Sequence, residues 1–254
     1  MDAQLAYLER NIAAPYRVWA YLDGEEAIAQ APRFDVAVEE ELGERASHAH
    51  KLNLLAERIA GEADPADLIV FIDGDAFPVA PLVEPVERML AERPLAAVRR
   101  VENFGDPQPH PCFCVTTVGF WQDIGGDWDE GPQWQNSNGT WQTDVGARLM
   151  VALRERDIEW AELLRSNRHD VHPMLFGVYG DLVYHHCAGF REPLTRVDAA
   201  IIRRRLAELD PPESERDAVR EQIREARAAD NARLDAEVYE RLQADPDFWR
   251  KLFY

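Results

Sequence analysis

The stretch Leu68-Ile-Val-Phe-Ile-Asp-Gly-Asp-Ala-Phe-Pro78 decides how this chain is read. An apolar run rich in β-branched and aromatic residues, Leu68 to Ile72, stops abruptly on two carboxylates. Such a run, closed by a turn signal, predicts a strand buried on both faces, as in a parallel sheet covered by helices. Asp73-Gly74-Asp75 then falls at the carboxyl end of that strand, where open α/β sheets bind their ligands. Hard divalent cations often reach a protein through one or two carboxylates plus substrate phosphates, so Asp73 and Asp75 are candidate metal ligands. Gly74, lacking a Cβ, lets backbone or ligand approach closely.

Upstream, Arg17–Leu22 is a β-rich run ending on Asp23-Gly24, and Phe34–Val38 is a second short strand. Asp23 is thus another carboxylate at a strand end, although alone it reads as a plain turn residue. His48–Ile59 spaces Leu52, Leu55, Ala56 and Ile59 for one helical stripe, with Ser47 as N-cap. The order strand, helix, strand predicts a βαβ-type unit with the two aspartates at its end. Downstream, a helix is expected over 82–92, a strand over 95–98 and a Pro-rich loop over 103–111. A strand over 112–118, a turn region over 119–128, a polar loop over 131–142 and a helix over 143–153 follow. Val178–Cys187 reads as one strand ending in the pair His185-His186. From Arg196 the texture becomes charged and helical, with helices expected over 199–209, 213–229 and 232–242 and an aromatic end, Phe248–Tyr254. The expected organisation is a domain over 1–195, divided near residue 105, and a helical extension over 196–254.

Net charge is −19, and the first 195 residues hold 33 acidic against 16 basic side chains. Nucleic-acid backbones need a basic footprint, so a nucleic-acid partner is excluded for that half. The start, Met1–Tyr7, lacks the basic and apolar regions of a signal peptide. No apolar run approaches the ~20 residues that span a bilayer. Cys112, Cys114 and Cys187 make no disulfide framework and suit a reducing compartment. A cytoplasmic protein is expected, with the aromatic end as a candidate contact for the inner membrane surface and the C-terminal helices as a candidate homo-oligomer contact.

Several stretches in this order resemble the GT-A-fold glycosyltransferases, closest to glycosyltransferase family 2. They are Arg17–Gly24, His50-Lys-Leu-Asn53, Phe71-Ile-Asp-Gly-Asp-Ala-Phe-Pro78, Ile124-Gly-Gly-Asp-Trp-Asp-Glu130, Thr143-Asp144-Val-Gly-Ala-Arg148 and Tyr184-His-His-Cys-Ala-Gly-Phe-Arg191. The resemblance covers roughly residues 5–195. It departs from the family in lacking the usual first strand and in carrying Thr143 where a Glu is usual. It implies an α/β GT-A fold, Rossmann-like, with a mostly parallel central sheet flanked by helices, followed here by a C-terminal helical extension. It also implies a nucleoside-diphosphate sugar donor, a carbohydrate or glycolipid acceptor, and Mn²⁺ or Mg²⁺ as cofactor.

On the same footing, Asp73 and Asp75 bind metal, with His185 or His186 as a further ligand. Asp23, Lys51 and Asn53 join them around the donor nucleotide. Asp144 is the general base, and Asp127, Trp128 and Trp141 bind the acceptor. Strand alternation favours His185 over His186, because Leu182, Tyr184 and His186 share an apolar face. His110, Cys112, Cys114, His185, His186 and Cys187 also read as a zinc cluster, but Cys-x-Cys within a strand is not the C-x₂₋₄-C knuckle spacing.

Two rivals remain. A phosphatase-like hydrolase with an aspartate nucleophile also begins at a strand ending in Asp-x-Asp, yet it needs a downstream lysine, and beyond residue 75 the chain has only Lys251. The other rival is a non-catalytic scaffold that binds a sugar nucleotide.

Overall fold

The computed structural model describes residues 2–22, 24–39, 47–187 and 193–254; Asp23 and residues 188–191 of the His-rich stretch lie outside them. In chain order the elements are α1 (Asp2–Asn11), β1 (Trp19–Leu22), α2 (Glu25–Ile28), β2 (Val36–Glu39), α3 (His48–Glu62), β3 (Leu68–Ile72) and β4 (Ala76–Pro78). Next come α4 (Val83–Glu92), β5 (Leu95–Val98), β6 (His110–Thr117), α5 (Val118–Ile124), β7 (Trp134–Gln135) and β8 (Trp141–Gln142). The chain continues through α6 (Ala147–Glu155), β9 (Ala161–Leu163), β10 (Gly177–Tyr179), β11 (Val183–His185), α7 (Arg196–Leu209), α8 (Arg216–Ala244) and α9 (Phe248–Phe253). The class is mixed α/β, with small mixed sheets and a helical tail.

The expectation of a mostly parallel sheet is corrected. The largest sheet has the order β3-β6-β5-β9. Its β3–β6 and β5–β6 pairs are antiparallel and only β5–β9 is parallel. Residues 99–109 carry the chain from β5 straight back into β6 without the helical crossover that a parallel neighbour needs. β1 and β2 form a separate parallel pair, so the predicted βαβ unit spans two sheets.

β3 is also not buried on both faces. Ile69 and Phe71 pack against Ala49, Leu52 and Ala56 of α3 and Trp121 of α5. Leu68 and Val70 point the other way and are 48% and 41% exposed. β3 is the edge strand of its sheet. Alternation puts Leu68 and Val70 on its second face, which stays in solvent despite the apolar sequence.

Other departures are local. Residues 118–124 are helical rather than a turn, capped by the Thr117 hydroxyl, which accepts from Phe120 N, and ended by Gly125 at φ +66°. Residues 134–142 hold the β7–β8 hairpin. The last predicted strand is an antiparallel pair, β10–β11, and β11 also pairs with β4.

In the tail, α8 runs unbroken for 29 residues where two helices were expected. Thr195 and Asp198 form a reciprocal capping box at the start of α7. The tail ends inside a core cluster. Phe248, Trp249 and Phe253 join Tyr7, Phe77, Tyr184, Val238 and Leu242. Burying each such aromatic ring is worth ~1.5–3 kcal/mol. No helix among the described residues is long and apolar enough to cross a membrane.

Candidate metal centre

β3 ends at Ile72, and Asp73–Asp75 turns the chain into β4 with Ala76 N donating to Asp73 O at 3.0 Å. Gln4 of α1 braces this turn, its amide donating to Asp73 O at 2.8 Å and Ala76 O at 2.9 Å. β11 pairs with β4 so that His185 stands opposite Ala76, and His186 N donates to Asp75 O. That register carries the His185 ring to the carboxylates. Its Nε2 lies 3.3 Å from Asp75 Oδ1 and 3.7 Å from Asp73 Oδ2. One ligand atom from each of Asp73, Asp75 and His185 lies within 4.8 Å of the other two.

His186 faces the opposite way, with Nδ1 against the Tyr184 hydroxyl at 2.7 Å and Nε2 against Asp235 of α8 at 2.8 Å. It therefore holds the tail, and His185 alone of the pair joins the aspartates.

His48, at the first turn of α3, adds an imidazole with Nε2 2.9 Å from Asp73 Oδ1. Burial lowers its proton affinity, but the hydrogen bond it donates to Asp73 and the charges of Asp73 and Asp75 outweigh that and raise it, against a smaller opposing push from Lys51. For His185, burial again works downward, and Cys187, Cys112 and Asp75 reverse the sign, holding the ring well above the usual histidine value.

Behind His185 lies a second polar layer. Arg100 is buried, with its guanidinium 3.8 Å from Asp106 Oδ2 and 3.9 Å from Asp144 Oδ2. Burial opposes its charge, and Cys187, Tyr179, Asp106 and Asp144 together keep it firmly protonated. Asp144 also faces Arg196 of α7 at 4.0 Å. Asp106 is held by Asn103 at 2.6 Å and Gln142 at 2.8 Å, and Arg196 bonds Gln142 Oε1. Asp144 is not at a helix start as expected. α6 begins at Ala147 after Gly146 at φ +89°, so Asp144 sits in the preceding turn, its Oδ1 accepting from Val145 N. The dipole contribution, which fades within a turn, gives way to the two arginines.

The other expected residues fall as follows. Lys51 Nζ lies 5.3 Å from the Tyr21 ring centroid and close enough to influence His48. Asn53 commits both ends of its amide to the following loop, donating to Asp127 Oδ1 and accepting from Trp128 N. Asp127 also accepts from Asp129 N and faces Arg148 at 3.5 Å.

Trp128, expected at the acceptor site, is fully buried between Phe71 and Trp121. The Gly125-Gly126 turn folds it inward, so it is a core residue and is withdrawn from that role. Trp141 is 64% exposed on β8, next to Gln142. His48, Gln4 and Arg100 escape sequence reasoning. Only the position of His48 at the helix start, three residues before Lys51, could have drawn attention to it.

Comparison with protein-family models, curated proteins and solved structures finds no significant match to this chain.

Proposed function

We propose that this protein is a metal-dependent inverting glycosyltransferase, moving a sugar from a nucleoside-diphosphate donor to an acceptor hydroxyl. The observation that carries this reading is the convergence of Asp73, Asp75 and His185 at the end of β3. Two carboxylates balance the charge of a divalent cation, and one imidazole suits Mn²⁺ while leaving Mg²⁺ the two oxygen ligands it prefers. Asp73, Asp75 and His185 would hold the ion, with His48 orienting Asp73 from behind as an outer hydrogen-bond partner. When bound, the ion supplies Lewis-acid stabilisation of the charge that develops on the departing diphosphate.

The chain's own groups do the rest. Lys51 lends positive charge on the donor side. Asp144 takes the acceptor proton, with Arg100 at 3.9 Å and Arg196 at 4.0 Å beside it and its carboxylate still partly open to solvent. Exposed Trp141 offers a face on which an acceptor sugar can stack. The phosphatase alternative loses support because Lys251 is paired with Asp245 in the tail.

The test is thermal shift with UDP-, GDP- and dTDP-sugars, with and without Mn²⁺, on wild type and Asp75→Ala. At least one nucleotide sugar stabilises wild type only with metal, and the variant loses the effect. Absence of any nucleotide-dependent shift overturns the reading. A shift without turnover, in the presence of acceptors, leaves a sugar-nucleotide-binding scaffold.

A further inference from the structure

His185 faces sulfur as well as carboxylate. The register of β5 on β6 slips after Ala97, which pairs with Cys114 while Val98 pairs with His110. Slips of this kind re-aim side chains beside functional sites. Here the slip separates two cysteines that simple alternation would put on one face. Cys114 stays in the cluster under α3 and α5, whereas Cys112 joins the cluster that holds Ala76 of β4 and Val183 of β11. His110 is brought to the same place, its ring centroid 5.7 Å from that of His185.

One ligand atom each of His110, Cys112 and His185 lies within 4.8 Å of the other two, and all three residues are buried. Cys187 adds a second sulfur, its Sγ 3.0 Å from His185 Nδ1. It does so from a backbone φ of +67°, a conformation that costs a residue with a side chain about 1–2 kcal/mol and marks a position fixed by its surroundings.

We propose that His110, Cys112 and His185 form a binding site for a thiophilic divalent cation of the zinc class, distinct from the Asp73–Asp75 carboxylate pair, with Cys187 as its nearest further donor. Thiolate and imidazole select such ions, whereas carboxylates take Mn²⁺ and Mg²⁺. The Cys112 thiolate offsets part of the ion's charge, so the buried set carries less uncompensated charge into the core than neutral ligands would. The two ligand sets share His185, whose Nε2 faces Asp75 and whose Nδ1 faces Cys187. Occupancy by a thiophilic ion therefore competes for the imidazole of the carboxylate site. The inference stands on these residues alone and does not depend on the transferase reading.

Cobalt(II) titration of the metal-stripped protein tests it, because a cobalt–thiolate bond has a charge-transfer absorption that carboxylate and imidazole ligands lack. Wild type gives this band, Zn²⁺ bleaches it, and Mn²⁺ does not. The band loses intensity in Cys112→Ser and survives unchanged in Asp75→Asn and Cys114→Ala. Failure of wild type to bind cobalt, or binding without the charge-transfer band, overturns the proposal whether or not any variant folds. So does a band of undiminished intensity in a Cys112→Ser variant whose circular dichroism matches wild type. No nucleotide enters the measurement, so its outcome is separable from that of the transferase test.

Discussion

His186 Nε2 lies 2.8 Å from Asp235 Oδ1, so the strand carrying His185 is fastened to helix α8 through the adjacent residue. Tyr184 completes the fastening, its hydroxyl 2.7 Å from the other ring nitrogen. Removing the carboxylate leaves a buried imidazole N–H without its acceptor. Asp235→Ala is expected to lower unfolding free energy by about 1–3 kcal/mol in denaturant titration.

The two neighbouring histidines should separate cleanly by function. His185→Ala is expected to weaken Mn²⁺ binding by at least ~10-fold in calorimetric titration. His186→Ala is expected to lower stability and leave Mn²⁺ affinity at the wild-type value. The reverse pattern would remove His185 from the metal centre.

Asp198 anchors the tail from inside. It is fully buried and accepts from His172, Arg227 and Thr195. Burial alone would raise its pKa, but those bonds outweigh it and hold the carboxyl far below the usual range. A depressed folded-state pKa contributes stability above the unfolded value, near 3.8, and that contribution fades as pH falls below it. Stability measured from pH 6 down to pH 2 should drop through this window in wild type and less steeply in Asp198→Asn. Asp198→Ala should cost about 3–5 kcal/mol at neutral pH, since Arg227 and His172 lose their partner.

Asp106 has the opposite sign. Burial pushes its carboxyl from 3.8 up to about 6, against the pull of Arg100 and the hydrogen bond from Asn103. Its contribution to stability is complete below about pH 4 and is lost as pH rises through about 6. Asp106→Asn should erase that slope and stabilise the neutral-pH protein by as much as ~3 kcal/mol. Asn103 Oδ1 has no hydrogen-bond partner, so its amide can flip to accept from the introduced one. A slope unchanged in the variant would refute this account.

Two tryptophans of similar sequence setting should behave differently. Trp128→Ala opens the core between Phe71 and Trp121 and should cost about 3–5 kcal/mol. Trp141→Ala, at an exposed position, should change stability by less than ~0.5 kcal/mol while weakening acceptor binding.

The turn at Asp73–Asp75 was legible because an apolar run ending on carboxylates is a local pattern. His185 was legible for the same reason, through alternation along a strand. The partner of β3 was not, since pairing with β6 joins residues more than forty positions apart and leaves no local mark. The exposed face of β3 was hidden by its own composition, because Leu68 and Val70 are apolar yet stand at an edge. The break expected within α8 fell at residues 230–231. In the fold Asn231 is buried and donates to Pro193 O at 2.7 Å, a tertiary bond that lets the helix run on. Arg100 shows nothing in sequence, because its role comes from where Asp106 and Asp144 are brought.

Helix α1 touches both ends of this design. Gln4 braces the aspartate turn, and one helical turn later Tyr7 stacks on Phe77 and donates to Leu242 O of α8. As the chain leaves the ribosome, α1 is therefore made well before α8 and α9 but cannot settle until they have followed it. The Asp73–Asp75 turn, in the first third of the sequence, is among the late features to set, and a nascent chain stalled before the tail would carry the aspartates without the brace that shapes them.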